Sequence, residues 1–361
     1  MQAKNRTVKM TGINPSDICK LEEIMTSAQH PVITTHMKPD GDAMGSSLAI
    51  YHIFKMLGKK DTRIILNDRF PAYLDFMVDE NIRDNIMIMD DDADAIRDTV
   101  RKSDLLICLD FNSFKRTDRL QEILENSGVP AILIDHHIGP DKEKFILTFS
   151  EQNVSSASEL LFHILMATSF IDRNARRLPP EAATALMTGM TTDTNNFSNS
   201  VYPSTLQMAS ALLEAGVNRE VILYNLFNRF SENRLRLLGH MLKDLLKITD
   251  DNVAYIVLDK ETLKRYEIQE GDTEGFVNMP LSIGSVRMSI LLKEEEGKAR
   301  VSIRSKKGTS ANRCAAAFFN GGGHENASGG KLNIPEDIAD IRNAGEYIER
   351  CTHIFMTEYN G

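Results

Sequence analysis

The sequence contains few cysteines and no long apolar run. These two features argue against a disulfide-rich protein and against a membrane-spanning one. The 361 residues include only four cysteines, scattered without the spacing of a metal site or of a disulfide framework. No stretch approaches the length that spans a membrane, and the amino terminus has no apolar segment of signal-peptide length. We therefore expect reduced thiols in a soluble, cytoplasmic protein without a membrane partner.

A general excess of positive charge is also missing, because the formal net charge is −9 at pH 7. This balance argues against nonspecific binding of nucleic acid over the whole surface. The segment from Arg287 to Arg313 departs from it, with eight basic residues against three acidic ones, a local net charge of +5. The segment is either a solvated strand edge or a surface that binds phosphate.

The length of the chain favours two domains rather than one core. Apolar strands at 31–36, 62–66, 104–110 and 131–137 alternate with helical segments up to about residue 228, which predicts an α/β, doubly wound, mainly parallel sheet in a catalytic domain over 1–228. A single amphipathic helix is predicted over Arg229–Ile248, within a helical connector at 229–250. A smaller α/β domain with a mixed sheet should occupy 251–361, with a glycine-dense loop at 320–330 and a last helix at 336–359.

Titratable side chains follow two of these predicted strands. Asp110 ends one strand, and Asp135, His136 and His137 end the next. Open parallel sheets bind ligands beyond the carboxyl ends of their strands. Because adjacent residues point to opposite faces, one of the two imidazoles would be a metal ligand and the other would be available for a different role. A pair of surface histidines on a loop is the alternative interpretation.

Other segments carry the same residue types, namely His36, Asp40 and Asp42 after the first strand and Asp193 at a helix end. So many carboxylates in one crevice would repel one another unless cations were present. We therefore expect two divalent metal ions, with Asp110 as the bridging ligand. Mixed oxygen and imidazole ligands suit Mn²⁺ best, with Mg²⁺, Co²⁺ or Zn²⁺ as alternatives, and the lack of cysteine ligands argues against a structural zinc site. Such a pair of ions would activate water for attack on a phosphoryl group, and Asp135 would accept a hydrogen bond from a ligand imidazole.

The motif His-x-x-Pro-Asp-Gly-Asp at 36–42, together with Asp110, Asp-His-His at 135–137 and Asp193, resembles the four successive motifs of the DHH phosphoesterase superfamily. Arg304 and the Gly-Gly-Gly-His run at 321–324 resemble its DHH-associated domain. The resemblance covers nearly the whole chain and is strongest to compact oligoribonucleases that also remove the 3′-phosphate of adenosine 3′,5′-bisphosphate. The substrates it implies are short RNA oligonucleotides or nucleotide phosphates.

The resemblance also implies roles for individual residues. His36, Asp40 and Asp110 would hold one Mn²⁺, and a second would be held by Asp42, Asp110, His136 and Asp193. His137 would contact the scissile phosphate or assist the leaving oxygen, so that His137, Asp135 and Asp110 form the expected catalytic group. Arg116, six residues after Asp110, also fits the family pattern and is a candidate for substrate binding.

The glycine run of the second domain suggests a separate substrate-binding surface. Gly321, Gly322 and Gly323 would let a phosphate backbone approach closely, and their amides could form an anion nest. His324 and Arg304 would supply charged donors, of which Arg304 can bind phosphate through two nitrogens. A flexible surface turn is the alternative interpretation of the glycines alone.

Several functions stay open at this point. The first expectation is a hydrolase that releases mononucleotides from very short RNA, with 3′-phosphatase activity on adenosine bisphosphate as a second reaction. A cyclic-dinucleotide or linear-dinucleotide phosphodiesterase is the alternative enzyme, and a nucleotide-binding regulator without catalysis is the alternative of another class. Exopolyphosphatase and pyrophosphatase activities are weaker alternatives, and the sequence leaves a homodimer open.

Overall fold

The computed structural model describes residues 13–269 and 271–359. These residues form two compact units that divide between Arg229 and Phe230. Each unit has its own six-stranded sheet. No helix in these described ranges combines the length and the apolar composition that a membrane crossing requires.

The first unit is built on a parallel sheet whose strand order is β3-β2-β1-β4-β5-β6. Its three central strands are buried along their whole length, as expected when both faces of a parallel sheet are covered by helices. The chain order changes direction between β1 and β4, and ligands bind at such a switch point. The strands are β1 Pro31–Thr35, β2 Arg63–Leu66, β3 Ile86–Ile88, β4 Leu105–Leu109, β5 Ala131–Asp135 and β6 Leu147–Ser150.

Helices cover both faces of this sheet. Ile33 and Leu48 belong to the apolar cluster on one face, which includes α2, α6 and α7, whereas Val32 and Ile96 belong to the cluster on the other face, with α4 and α5. This arrangement confirms the predicted doubly wound α/β class. The helices are α1 Pro15–Ser27, α2 Gly41–Met56, α3 Glu80–Arg83, α4 Ala93–Lys102, α5 Gln121–Glu125, α6 Ala157–Ala167, α7 Pro180–Asp193, α8 Pro203–Glu214 and α9 Arg219–Phe227.

The second unit has a mixed sheet of order β11-β12-β10-β9-β8-β7, in which only β8 and β9 are parallel. This also agrees with the prediction of a smaller α/β unit. Its strands are β7 Lys247–Ile248, β8 Val253–Leu258, β9 Met288–Glu295, β10 Lys298–Ser305, β11 Gly322–Gly323 and β12 Ala327–Asn333. Its helices are α10 Glu232–His240, α11 Lys260–Arg265, α12 Ala311–Phe318 and α13 Ala344–Ile354.

The structure corrects three predicted elements. The single helix over Arg229–Ile248 is wrong, because α10 gives way to a π-helical turn at Met241–Leu245 and then to β7. The glycine-dense loop is largely a hairpin, in which β11 and β12 pair. The last helix begins at Ala344 rather than at 336, since turns follow the end of β12 at Asn333 and a 3₁₀ turn forms at Ile341–Asn343.

We expect Ile107→Ala to lower the free energy of unfolding of the first unit by about 2–5 kcal/mol, because its side chain is fully buried in the central strand β4. Chemical denaturation monitored by circular dichroism measures the change. Leu213→Ala is the matched control, since Leu213 is 48% exposed on α8 and its truncation should change stability by no more than about 0.5 kcal/mol. Equal losses in the two variants would contradict this assignment of the core.

Candidate metal and active site

The ends of three neighbouring strands bring imidazoles and carboxylates together. His36 follows β1, Asp110 follows β4, and Asp135 is the last residue of β5. The three strands are adjacent and parallel, with Thr35 opposite Leu109 and Leu109 opposite Ile134. Side chains that are far apart in sequence therefore meet at one edge of the sheet.

A first group of donor atoms consists of His36, Asp40 and Asp110. The Nε2 atom of His36 lies 3.4 Å from Asp110 Oδ2 and 3.9 Å from Asp40 Oδ1. Its other ring nitrogen, Nδ1, lies 2.8 Å from the carbonyl oxygen of Met37, to which it donates. In the neutral ring, Nε2 is then the nitrogen with a lone pair, and it faces the carboxylates.

A second group consists of Asp42, His136 and Asp193. The Nε2 atom of His136 lies 3.4 Å from Asp193 Oδ2 and 3.4 Å from Asp110 Oδ1. Asp110 thus faces His36 with one oxygen and His136 with the other. This is the arrangement of a carboxylate that could be shared between two ions.

The donor spacing and one orphaned atom show that these residues fit metal ions. Distances of 3.4 Å are longer than ordinary hydrogen bonds of N–H groups to oxygen. They match the separation of about 3.0–3.4 Å between two ligands that each bind one ion at about 2.1 Å. Asp110 Oδ1 is buried without a hydrogen-bond partner among the described residues, and a buried carboxylate oxygen in that state is costly unless a cation is close.

The electrostatics of the site show the same need for positive charge. Burial lowers the pKa of both imidazoles, but the neighbouring carboxylates outweigh it and raise the pKa of His36 to about 9 and of His136 to about 10. Burial and the charge of Asp110 raise the pKa of Asp42 to about 7. Burial and the charge of Asp42 likewise raise the pKa of Asp193. Without a metal, protons must supply the charge that divalent cations would supply.

Asp110 also has an unusual backbone conformation, with φ at 61° in the left-handed region. Aspartate tolerates this region better than most residues, yet it remains uncommon for a residue other than glycine. The amide of Asp110 donates to the carbonyl oxygen of Ile134 over 3.1 Å, so the turn stays attached to β5. The strained turn begins where β4 ends and directs the carboxylate into the site.

Asp135 contacts the second imidazole of the pair. Its Oδ1 atom lies 2.6 Å from His137 Nδ1, and His137 Nδ1 is also 3.7 Å from Asp110 Oδ1. The sequence predicts that Asp135 accepts a hydrogen bond from a ligand imidazole. Its imidazole partner in the structure is His137, which forms a third group of donor atoms with Asp110 and His136. His136 Nε2 faces Asp110 and Asp193 instead, so the two adjacent rings have different surroundings.

The position of Asp42 depends on a contact that sequence reasoning missed. Asp42 is fully buried, and the amides of Ala157 and Ser158 in the first turn of α6 donate to its two oxygens over 2.6 and 2.9 Å. The positive end of the α6 dipole adds to these hydrogen bonds. The motif Ser-x-x-Glu at 156–159 indicates a helix start, but nothing in it reveals that a carboxylate 115 residues away binds there.

Gly189 on α7 explains how the three helices come so close. A Cβ atom at Gly189 would lie 2.1 Å from Ser158 Oγ and 2.8 Å from Asp42 Oδ1, so only glycine fits between α2, α6 and α7. The helix then continues by one turn to Asp193. The same close approach therefore brings Asp42 and Asp193 together.

Arg116 and the predicted substrate residues of the second unit make local contacts within their own units. Arg116 is partly buried in a 3₁₀ segment, and its carbonyl oxygen accepts a hydrogen bond from Met37 over 2.8 Å. Arg304 pairs with Ala327 across β10 and β12, which places it beside the hairpin of Gly322, Gly323 and His324. Arg304 Nη1 donates to the carbonyl oxygen of Ile303 over 2.9 Å.

The glycines of the hairpin have structural reasons of their own. A Cβ atom at Gly321 would lie 1.9 Å from the carbonyl oxygen of Gly329, so the backbones touch there. The amide of Gly321 donates to Ala315, and the amide of Gly323 donates to Asn312. These two amides do not form the predicted anion nest, because they already have partners within the unit.

Comparison with known proteins agrees with this geometry. The N-terminal domain of the DHH family matches residues 31–190, and the DHHA1 domain matches residues 250–348. The chain belongs to the DHH family. This chain is a phosphoesterase, a hydrolase.

Three relatives span nearly the same length. An exopolyphosphatase-related protein from Bacteroides fragilis, known from its crystal structure, is 34% identical with a TM-score of 0.88 and covers 96% of this chain and 98% of its own. The bifunctional oligoribonuclease and PAP phosphatase NrnA of Mycoplasma genitalium is 26% identical over 86% of this chain and 91% of its own length. The NrnA protein of Thermus thermophilus, which has the same name, is 28% identical over 86% of each chain.

We expect Gly189→Ala to destabilise the first unit by about 1–3 kcal/mol, because the added methyl group would overlap Ser158 Oγ and press on Asp42. Gly239→Ala is the matched control, since an added Cβ in α10 meets no atom within 4 Å and should stabilise that helix by up to about 1 kcal/mol. Thermal unfolding of both variants measures the difference. A stabilising effect at Gly189 would contradict the close approach of the three helices.

Proposed function

We propose that this chain hydrolyses short oligoribonucleotides to mononucleotides and also removes the 3′-phosphate of adenosine 3′,5′-bisphosphate, with two Mn²⁺ ions as cofactors. The observation that carries the proposal is the position of Asp110, which has one oxygen 3.4 Å from the His36 imidazole and the other 3.4 Å from the His136 imidazole. The names of the NrnA relatives, oligoribonuclease and PAP phosphatase, point to the same substrates. The mixed oxygen and nitrogen donors favour Mn²⁺ over harder or softer ions.

In this proposal His36, Asp40 and Asp110 hold one ion, and Asp42, Asp110, His136 and Asp193 hold the other. When bound, the two ions would supply Lewis acidity, which lowers the pKa of water and neutralises charge on phosphoryl oxygens. Three of these side chains are held by hydrogen bonds from within the first unit. The amides of Asp42 and Ala43 donate to Asp40, the first turn of α6 holds Asp42, and the ring of His36 is fixed by Met37.

His137 is the group proposed to contact the scissile phosphate or the leaving oxygen. The carboxylate of Asp135 is fully buried, and at 2.6 Å from Nδ1 it fixes the orientation of the His137 ring. Nδ1 therefore carries a proton toward Asp135, which sets the role of Nε2 as the atom that faces substrate. In this proposal Asp135 orients the His137 ring, and His137 donates or accepts a proton at Nε2.

The second unit is proposed to bind the part of the substrate that does not react. Arg304 has five N–H groups, and the described contacts engage Nη1 with main-chain oxygens. Its guanidinium can hold a phosphate or a base edge beside the hairpin. His324, next to Gly323, would add a further donor.

Arg116 remains a candidate for substrate binding in the first unit. The cytoplasmic location and the homodimer stay predictions from the sequence.

A panel of substrates tests the proposal. The purified full chain is incubated with Mn²⁺ and with chelator on pApA, a five-nucleotide RNA, adenosine 3′,5′-bisphosphate, cyclic di-AMP and polyphosphate. We expect release of mononucleotides from the first two and of phosphate from the third, all abolished by chelator. Preference for cyclic di-AMP or polyphosphate would replace the proposed substrates, and no hydrolysis of any compound would favour a nucleotide-binding regulator.

Variants of the two units should show different kinetic losses. Asp110→Ala should abolish turnover, because it removes the carboxylate that faces both His36 and His136. Arg304→Ala should leave kcat nearly unchanged and raise KM for pApA about 10-fold or more, since one charge-assisted hydrogen bond contributes about 1.5–3 kcal/mol. Arg300→Ala is the control, an exposed arginine on the same strand, and it should keep the wild-type KM. Equal loss of kcat at Asp110 and Arg304 would contradict this division of roles.

A further inference from the structure

The first turn of α6 contains a buried carboxylate for which the proposed chemistry has no use. Glu159 has no exposed surface and belongs to none of the groups of metal-binding residues. A buried acid is costly unless it is well hydrogen-bonded. Its presence two residues after Ala157, whose amide binds Asp42, therefore requires an explanation.

Glu159 is held by donors from two different parts of the chain. Its Oε2 atom accepts hydrogen bonds from the amide of Ser155 over 2.9 Å, from Ser155 Oγ over 2.5 Å and from Thr205 Oγ1 over 2.6 Å. Burial raises the pKa of Glu159, but His163 and the hydroxyls of Ser155 and Thr205 outweigh it and lower that pKa to about 2. The carboxylate is therefore charged at neutral pH and makes charge-assisted hydrogen bonds, which are the stronger kind.

These contacts differ from those of an ordinary helix start. In a capping box, a glutamate at this position would accept a hydrogen bond from the amide of the N-cap residue, here Ser156. Ser156 does cap the helix, because its hydroxyl accepts from the Glu159 amide over 3.0 Å. The Glu159 side chain instead reaches one residue further back, to Ser155, and across to Thr205 on α8. It fixes the segment that enters α6 rather than merely capping the helix.

The fixed segment is the one that holds Asp42. Ser155 and Ser156 lead directly to the amides of Ala157 and Ser158, which donate to the two oxygens of Asp42. Any shift of this turn would move both amides, and the carboxylate of Asp42 would move or lose a bond. Glu159 thus connects α8 to the first turn of α6, and the amides of that turn bind Asp42, a proposed metal ligand on α2.

We infer that Glu159 is a positioning residue for Asp42, holding the first turn of α6 so that its amides present this carboxylate to a divalent cation. The inference rests on the proposed role of Asp42 as a metal ligand. It assigns to Glu159 an effect on the affinity of one of the two ions, the one that Asp42 binds. The ion held by His36 and Asp40 should be affected less.

Binding of Mn²⁺ to the full chain tests this inference without any measurement of activity. Titrations followed by the electron paramagnetic resonance signal of free Mn²⁺ give the number of sites and their affinities. We expect Glu159→Leu to weaken one of two sites by about 10-fold, the smaller loss typical of residues that support a ligand from outside the coordination shell. Glu159→Gln keeps an acceptor in the same place and should restore affinity close to that of the wild type.

Two further variants keep the test decisive if Glu159→Leu does not fold. Thr205→Val removes one donor to Glu159 and should weaken the same site to a smaller extent. Thr62→Val is the matched control, because Thr62 is buried in the same unit and its hydroxyl donates to Lys59, with no link to α6. This control should lower stability without changing either affinity.

Asp42→Asn separates failure of the inference from failure of the proposed function. If Asp42→Asn loses one site while the Glu159 and Thr205 variants keep both wild-type affinities, Glu159 has only a structural role and the inference is wrong. If Asp42→Asn keeps both sites, the proposed ligand set is wrong, and the inference is overturned with it. Weakening of one site in Asp42→Asn, Glu159→Leu and Thr205→Val, but not in Thr62→Val, supports the inference.

Discussion

The carboxylate of Asp110 faces an imidazole on each side, and the first unit depends on how that charge is balanced. His36 and His136 approach its two oxygens at 3.4 Å, and Asp42 and Asp193 add further negative charge around His136. The folded sheet therefore requires positive charge around Asp110, either from protons on the imidazole rings or from metal cations. The parallel order of β1, β4 and β5 creates that requirement, because it brings three charged strand ends to a single edge.

Close packing of three helices places a further carboxylate, Asp42, in the site at the strand ends. Asp42 lies on α2, its hydrogen-bond donors lie on α6, and Gly189 on α7 leaves the space in which they meet. The backbone amides bind both oxygens of the carboxylate, and one of these oxygens also lies within 4.8 Å of donor atoms of His136 and Asp193. These rigid main-chain groups bind the acid directly and orient it.

Much of this organisation could be predicted from the sequence, for identifiable physical reasons. Apolar runs such as Ala131–Asp135 predict buried strands, and charged residues at their ends indicate the metal-binding site. The hydrogen bonds from α6 to Asp42 could not be predicted, because they join residues 115 and 116 positions apart and carry no local pattern. The hairpin at Gly321 was missed for a similar reason, since its glycine is required by a backbone neighbour, Gly329, that only the fold supplies.

The donor atoms of the site come from four separate stretches of the chain, around His36, Asp110, His136 and Asp193. An unfolded chain cannot bring these stretches together, so an ion that binds them selects the folded state. Thermodynamic linkage then adds RT ln(1 + [ion]/Kd) to the unfolding free energy, about 2.7 kcal/mol when the ion is 100-fold above its Kd. The concentration of free metal would in this way determine the unfolding free energy of the first unit as well as its chemistry.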